Sequence, residues 1–432
     1  MADVDVIVVG AGPAGSAAAL AAARAGRSVV LIERGPFPGS KNMFGGVVYG
    51  RVLDGLIPRW WEDMPVQRWV TRRQTMVVDG DRALTIDYRT GAWGRPPYNG
   101  ATVYRPDLDS WLADHAVATG AQLVCSTTVV GLIREGGRVV GVRTDRPDGE
   151  LRASVVIACD GVNSFLAKEA GLYDGFDPHY FTVGVKETLS LPRDVIDSRF
   201  GVRGRDGVDI EILGCTSGIP GGGFVYTNLD SVSVGVVLGT QELAAQQRRP
   251  EELIAELKAH PAIAPLVEGA TVGEYSAHVI PEGGFRHMPE VISDGLLVAG
   301  DAAALCLAAG IWLEGVNFAI ASGMAAGQAA AEALRLDDVT AAGLSGYRRR
   351  IETNFVLADH RKLAGVADLI LSERVQSTYP TLVANIVERV FTVDNPNPKP
   401  GFGRIVRDEL RRAGIRSADL ARDALAGLKG FG

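Results

Sequence analysis

Val4-Asp5-Val6-Ile7-Val8-Val9-Gly10-Ala11-Gly12-Pro13-Ala14-Gly15 carries a β-branched run straight into three spaced glycines. Ser16 to Ala25 follows as an Ala-rich segment closed by Gly26, and Ser28 to Ile32 is a second β-rich run ending at Glu33. An apolar β-branched run suits a strand buried on both faces of a parallel sheet, and the Ala-rich segment suits a helix. The order is strand, glycine turn, helix, strand, acid. Gly10 permits the tight turn, Gly12 lets the backbone approach a pyrophosphate, and Gly15 lets the helix pack close to the strand. The helix start offers free N–H groups and partial positive charge to phosphates. Glu33, 18 residues past Gly15, suits an adenosine ribose and repels a 2′-phosphate. The motif with its context predicts a dinucleotide site but does not choose between FAD and NAD.

Further segments bear on that choice. Pro36 to Gly46, with Lys41, Gly45 and Gly46, is a Gly/Pro-rich loop directly after the second strand. In a doubly wound fold such loops line the ligand crevice. Arg105 stands before a helical stretch that turns Leu108, Leu112 and Ala116 inward, and Asp107 or Asp109 is the expected cap. Arg105 reads either as a phosphate or flavin contact or as half of a surface ion pair. Two β-rich runs, 122–129 and 138–144, flank Glu135-Gly136-Gly137 as a hairpin. A third run, 153–158, leads to Asp160-Gly161, and Gly295 to Val298 leads to Gly300-Asp301. Asp301 suits a ribityl hydroxyl. The loop to Gly315-Val316-Asn317 opens an Ala/Gly helix over 318–334 whose start can face a flavin pyrimidine edge.

Composition narrows the class. The chain has 432 residues, 47% hydrophobic, 7% aromatic and 22% charged, enough for a sizeable core. Length alone suggests two or three domains at about 150 residues each. Lys+Arg is 44 against Asp+Glu 51, a net charge of −7, so a nucleic-acid partner is not expected. The 53 glycines show no G-X-Y period, which excludes collagen. Cys125, Cys159, Cys215 and Cys306 form no C-x-x-C, so a local iron–sulfur or zinc site is not expected and four reduced thiols are. The first residues carry acid where a signal peptide carries Lys or Arg. The most apolar long stretch, 296–331, is broken by Asp301, Glu314 and many small residues, so no transmembrane segment is expected. No G-x-S-x-G with a plausible base and no H-E-x-x-H is visible, and redox cofactor chemistry needs neither.

The early glycine motif, Asp160-Gly161 and Gly300-Asp301 together resemble the flavoproteins that include aromatic hydroxylases and geranylgeranyl reductases. Lys41 to Gly46, Val183-Gly184-Val185-Lys186-Glu187 and Ile280-Pro281-Glu282-Gly283-Gly284 resemble, more narrowly, the electron-transfer flavoprotein–quinone oxidoreductase family in its shorter FixC branch. The likeness spans most of residues 1–395. It implies an α/β fold: a Rossmann-like, glutathione-reductase-type FAD domain interleaved with a β-sheet substrate domain, then a C-terminal helical segment. The implied division is 1–175 with 290–335 for FAD, with insertions around 50–100, then 176–289 for the sheet domain and 336–432 for the helical region. It implies FAD contacts from Gly10, Gly12, Pro13, Ala14, Gly15, Glu33, Arg34, Lys41, Gly45, Gly46, Arg105, Val129, Asp160, Gly161, Gly300, Asp301, Gly315, Val316 and Asn317. Lys186, Glu282, Trp312 and Glu314 are the candidates around the flavin's open face.

The implied activity is that of an FAD-dependent dehydrogenase. It moves electrons from an electron-transfer flavoprotein to quinone, or to a separate ferredoxin-like protein, since the longer members' cysteine-bound cluster domain has no counterpart here. Leu313 stands where a basic residue is expected, and Trp312 adds a bulky wall. This keeps open a small-molecule flavoenzyme of the geranylgeranyl reductase type: an ene-reductase, an oxidase or a monooxygenase in a biosynthetic pathway. A non-catalytic FAD scaffold is a third reading. The tail after the linker Asp394 to Pro400 has a local charge of +3 over 404–432, with Leu410, Ile415, Leu420, Leu425 and Leu428 interspersed. It reads as a peripheral helix packed on its own domain, or as a basic amphipathic element touching a membrane or partner. The expected location is cytoplasmic, with peripheral contact at the inner face of the membrane as an option.

Overall fold

The computed structural model describes residues 2–41, 46–173, 175, 177–310 and 312–431. The opening run forms the strand Val4–Val9, the glycines open the helix Pro13–Arg24, and the strand Val29–Ile32 follows. Five parallel strands stand in the order Leu296–Val298, Glu150–Ala158, Val4–Val9, Val29–Ile32, Gln122–Val124. Val6, Ile7 and Val8 are fully buried on alternating sides. That is why the run is continuously apolar rather than alternating. Each such side chain contributes roughly 1.5–3 kcal/mol by leaving water.

Glu150–Ala158 serves two pairings. Its first residues, Glu150 to Arg152, pair antiparallel with Arg138–Thr144, and its remainder runs parallel to the first strand. Val129–Glu135 completes this meander. The expected hairpin is therefore narrower than its sequence signal. Gln122–Val124 belongs to the parallel sheet instead, because Ser126, with positive φ, and Thr127 turn the chain between the two runs.

A second, nine-stranded sheet has the order Thr271–Pro281, Phe181–Ser190, Ser231–Gly239, Gly221–Thr227, Asp206–Leu213, Val66–Asp79, Ala101–Val103, Gly46–Val48, with Arg82–Arg89 paired to Val66–Asp79. Strands from both ends of the chain's first 281 residues thus share one sheet. Its one face is apolar: Val208, Ile210, Ile212, Val225, Val234 and Val236 pack beneath the helices Arg193–Phe200 and Pro250–Ala259 through Ile196, Phe200, Leu253, Ile254 and Leu257. Period-2 alternation leaves the intervening residues on the opposite face.

The helix Val316–Arg335 crosses the first helix at unusually short range. A Cβ on Gly323 would lie 1.9 Å from the Ala14 carbonyl oxygen, and one on Gly327 2.2 Å from that of Ala18. Short helices follow to Tyr379–Phe391, which packs on the second sheet's edge: Thr381 donates to Asp79, and Arg82 pairs with Glu388. Beyond the linker, Phe402–Arg412 is tied down by Arg389–Glu409, and Ser417–Phe431 by Arg374–Asp423. No helix among the described residues is long and apolar enough to cross a membrane.

Candidate FAD site

Gly10 adopts φ +97°, and a Cβ there would meet the Cys159 carbonyl at 2.3 Å; at Gly15 it would meet the Gly10 carbonyl at 1.8 Å. These two glycines are demanded by backbone against backbone. Gly12 is different: a Cβ there would meet only the Arg105 guanidinium, at 3.9 Å. Gly12 is the N-cap of Pro13–Arg24, and no side chain caps that helix end. A helix start that carries no side-chain cap, fronted by a guanidinium, is an anion cradle.

Glu33 follows the strand Val29–Ile32 and is buried. Ala11 N–H donates to its Oε2 at 3.0 Å and Gly35 N–H to its Oε1 at 2.7 Å. The carboxylate therefore braces the glycine turn, and each oxygen keeps a lone pair for a ribose hydroxyl. Arg34 beside it is exposed, as is Lys41, while Gly45 lies outside the described residues. Gly46 opens a strand of the second sheet. Val129 opens the meander opposite Thr144, two residues after Thr127, whose N–H donates to the Glu33 carbonyl.

Arg105 donates from Nε and Nη2 to Asp109 at 2.8 and 2.9 Å. Asp109 is fully buried inside the helix Arg105–Ala118, which starts at Tyr104 without a side-chain cap. The expected Asp cap is thus replaced by an internal i,i+4 pair. Burial works against the Arg105 charge, and Asp109 and then Asp301 outweigh it, holding its pKa above the ordinary value. The residues following three different strands, Gly12, Arg105 and Asp301, converge here.

Asp160 follows the strand Glu150–Ala158, and its Cα lies 3.6 Å from where a Gly10 Cβ would stand. Its Oδ2 accepts from Leu166 N–H at 3.0 Å; its Oδ1 is buried without a partner among the described residues. Burial raises its pKa. Gly161 beside it takes φ +77°. On the facing loop, Gly300 takes φ +69° with its would-be Cβ 2.8 Å from the Ala14 methyl. Gly315 caps Val316–Arg335, again without a side chain, and Asn317 in its first turn donates to Glu314.

The second sheet turns its polar face to this crevice. Lys186 is 1% exposed, opposite Gly235 and Ser276; burial lowers its pKa to about 7, with Glu274 opposing and Arg105 adding to the shift. His278 has its pKa lowered by burial; Asp301 opposes, and Arg105 and Arg34 reinforce. Glu282 follows this sheet's last strand, and burial raises its pKa to about 7. The Cys306 thiol is pushed well up by burial first, and then by the charges of Asp301, Glu282 and Glu314. Trp312 packs toward Phe431, with ring centroids 5.6 Å apart, rather than standing alone in the loop. A cleft of about 660 Å³ opens alongside, lined by Tyr104, Thr188, Ser231 and Glu274 among others.

Farther along the same face lies a group that the sequence reading missed. Asp209 stands opposite Arg73 on one side and Tyr226 on the other. Arg73 reaches Asp209 Oδ2 at 3.3 Å and also pairs with Glu211. The signal was present as alternation: Asp209 and Glu211 interrupt the core-facing Val208, Ile210 and Ile212. His278 offered no such signal.

The residues fit an FAD pyrophosphate and ribose: an open glycine cradle at a helix start, a fronting guanidinium, a buried acid with lone pairs to spare and an orphaned buried carboxylate oxygen. Residues 5–171 match the family described as FAD dependent oxidoreductase. The chain is 39% identical over 424 residues to the probable electron transfer flavoprotein-quinone oxidoreductase YdiS of Escherichia coli strain K12, covering 98% of each chain. It is 37% identical over 427 residues to the FixC protein of the same strain, again covering 98% of each. A solved geranylgeranyl bacteriochlorophyll reductase-like protein from Thermoplasma acidophilum shares the fold at TM-score 0.71 and 21% identity, covering 95% of this chain and 99% of that one. This protein is an FAD-dependent oxidoreductase and belongs to the family of YdiS and FixC, the electron-transfer flavoprotein–quinone oxidoreductases.

Proposed function

We propose that this chain accepts electrons from an electron-transfer flavoprotein and passes them to quinone, with a ferredoxin-like protein as the other acceptor. The observation that carries this reading is the likeness to YdiS over 98% of both chains. Bound FAD supplies the electron-transfer chemistry. In this reading Gly10, Gly12, Pro13, Ala14 and Gly15 receive the pyrophosphate, with Arg105 neutralising it. Glu33 takes the ribose, with Arg34, Lys41, Gly46 and Val129 along the adenosine side. Asp160, Gly161, Gly300 and Asp301 hold the linking chain, and Gly315, Val316 and Asn317 the ring. Lys186, Glu282 and Glu314 set the charge on the open face, and Trp312 walls it. Residues 1–175 and 290–335 then act as the FAD-binding body, 176–289 as the acceptor-side sheet and 336–432 as the helical region.

The exposed Val390, Phe391, Val393 and Phe402 flank the linker, with Arg404 and Arg407 beside them. Exposed apolar side chains with cations beside them suit peripheral contact with an anionic lipid surface, where a quinone pool resides.

The test is anaerobic mixing of the yellow holoprotein with reduced electron-transfer flavoprotein. The expected result is bleaching of the flavin, followed by reoxidation on adding a short-chain quinone. A holoprotein that ignores this donor yet oxidises NAD(P)H with a small molecule and oxygen overturns the reading in favour of a small-molecule flavoenzyme.

A further inference from the structure

Two carboxyl groups and one guanidinium share the polar face of the second sheet. Asp209 is 2% exposed and Glu211 is next on the same face, with Arg73 between them. A structural ion pair would match charges one to one. Here the surplus is acidic, and it is larger than the pair alone, because Glu314 from the cofactor loop also acts on Arg73 and on Tyr49. Tyr49 and Tyr226 complete the group. Asp209 Oδ1 is buried with no hydrogen-bond partner among the described residues. An ionised carboxylate is not left so in a dry site; a carboxyl that holds a proton, or that serves an incoming donor, is.

We propose that Asp209 and Glu211 form a proton store for the acceptor reduced on this face of the cofactor. The proposal rests on the quinone reading above. A quinone becomes a quinol by gaining two electrons, which the electron-transfer flavoprotein supplies through the bound cofactor, and two protons. One proton comes from the carboxyl pair, which is left singly more negative and takes its replacement from water; the other comes from solvent directly. Arg73 limits the pair to one stored proton, since it compensates one of the two charges. Burial is the largest influence on both acids and favours the protonated form, with Asp209 further raising Glu211 and Arg73 opposing in both. The groups acting with the pair from neighbouring elements are Arg73, Tyr49 and Tyr226, and Glu314 acts in turn with Arg73 and Tyr49.

The test begins with infrared difference spectra of the wild-type holoprotein across neutral pH. The expected result is a carboxylic-acid carbonyl stretch that persists at pH 7 and disappears on alkalinisation. It should be lost or shifted in Glu211→Gln and in Asp209→Asn. The second measurement compares turnover with a short-chain quinone against turnover with ferricenium, a one-electron acceptor that takes up no proton. Positioned proton transfer contributes on the order of a hundredfold. The ratio of quinone to ferricenium turnover is therefore expected to fall about that much in Glu211→Gln, with the wild-type alkaline decline flattened. Absence of the carbonyl band in the wild type overturns the proposal, and so does an unchanged ratio. A band that titrates and is lost in Glu211→Gln, in a protein that reduces ferricenium but no quinone, upholds the proton store and removes the quinone reading. Should Glu211→Gln fail to fold, Asp209→Asn decides in its place, because only a band lost on substitution separates this pair from Glu282, whose burial also keeps its carboxyl protonated near neutral pH.

Discussion

Gly323 and Ala14 meet with no room between them: a methyl at Gly323 would sit 1.9 Å from the Ala14 carbonyl oxygen. Ala14 lies in the first turn of the helix to which the proposed function gives the pyrophosphate, so the late helix sets the height of the early one. Gly323→Ala must push the helices apart, and overpacking of this kind costs about 1–3 kcal/mol. The expected outcome is a lower melting temperature and less flavin per protein after purification, because the shift carries the Ala14 and Gly15 N–H groups with it. Gly403→Ala is the control: its Cβ meets nothing within 4 Å in the exposed helix Phe402–Arg412. Stability there should hold or rise by up to about 1 kcal/mol.

Arg105 and Asp109 have separable roles. Asp109 is fully buried, and Asp109→Asn strands the guanidinium in a poorly solvated place, a change that costs roughly 3–5 kcal/mol. Arg105→Met removes the cation in front of Gly12. The expected outcome is FAD binding weakened about tenfold or more, equivalent to about 1.4 kcal/mol, measured by titrating flavin fluorescence into apoprotein. If both variants lost stability equally and neither lost flavin affinity, the pair would be purely structural.

The first strand, its glycine turn and Glu33 were legible because each is a local device: periodicity, a turn that only glycine makes, a strand-end acid. Gly323 and Gly327 were not legible as contacts, since their necessity comes from Ala14 and Ala18, over 300 residues earlier. Asp109 misled for a related reason. Its position suits a cap, and only the tertiary burial of Arg105 makes it an internal partner. Arg73 and Asp209 pair across strands that begin at Val66 and Asp206, a parallel register that no local pattern encodes. Glu282 and Lys186 entered by family resemblance rather than by spacing, and the structure adds the burial that gives them altered proton affinity.

Glu282 gives a pH-dependent prediction. Its pKa is raised by burial from an ordinary 4.5 to about 7. Between those values the unfolded chain releases a proton that the folded chain keeps. The contribution of Glu282 to stability is therefore fully present below pH 4.5 and is lost as pH rises through 7. Glu282→Gln removes the titration. The variant is expected to match the wild type at pH 4.5 and to exceed it above pH 7, by about 2 kcal/mol once partial exposure is discounted. Thermal melts of both apoproteins across this range check it; parallel curves would refute the assignment.

Asp423 carries the last prediction, and its sign is opposite. It accepts from Arg374 Nε at 2.5 Å, from Arg374 Nη2 at 2.7 Å and from the Tyr379 hydroxyl. These bonds lower its pKa to about 2. Its contribution is present above the ordinary 3.8 and is lost as pH falls through about 2. The bonds fasten Ser417–Phe431, whose Phe431 meets Trp312 and whose Gly430 lies against Val366. Asp423→Asn keeps the shape but gives up the charge and one acceptor, a local loss of about 1 kcal/mol. The main body is expected to melt at nearly the wild-type temperature, because its buried core does not include Asp423. The tail should instead open more often. Trypsin should then cut after Arg411, Arg412 or Arg416 several times faster, and Trp312 emission should shift to the red as Phe431 leaves it. Unchanged cleavage in the variant would mean that apolar contacts at Val366 and Leu369 hold the last helix without the ion pair.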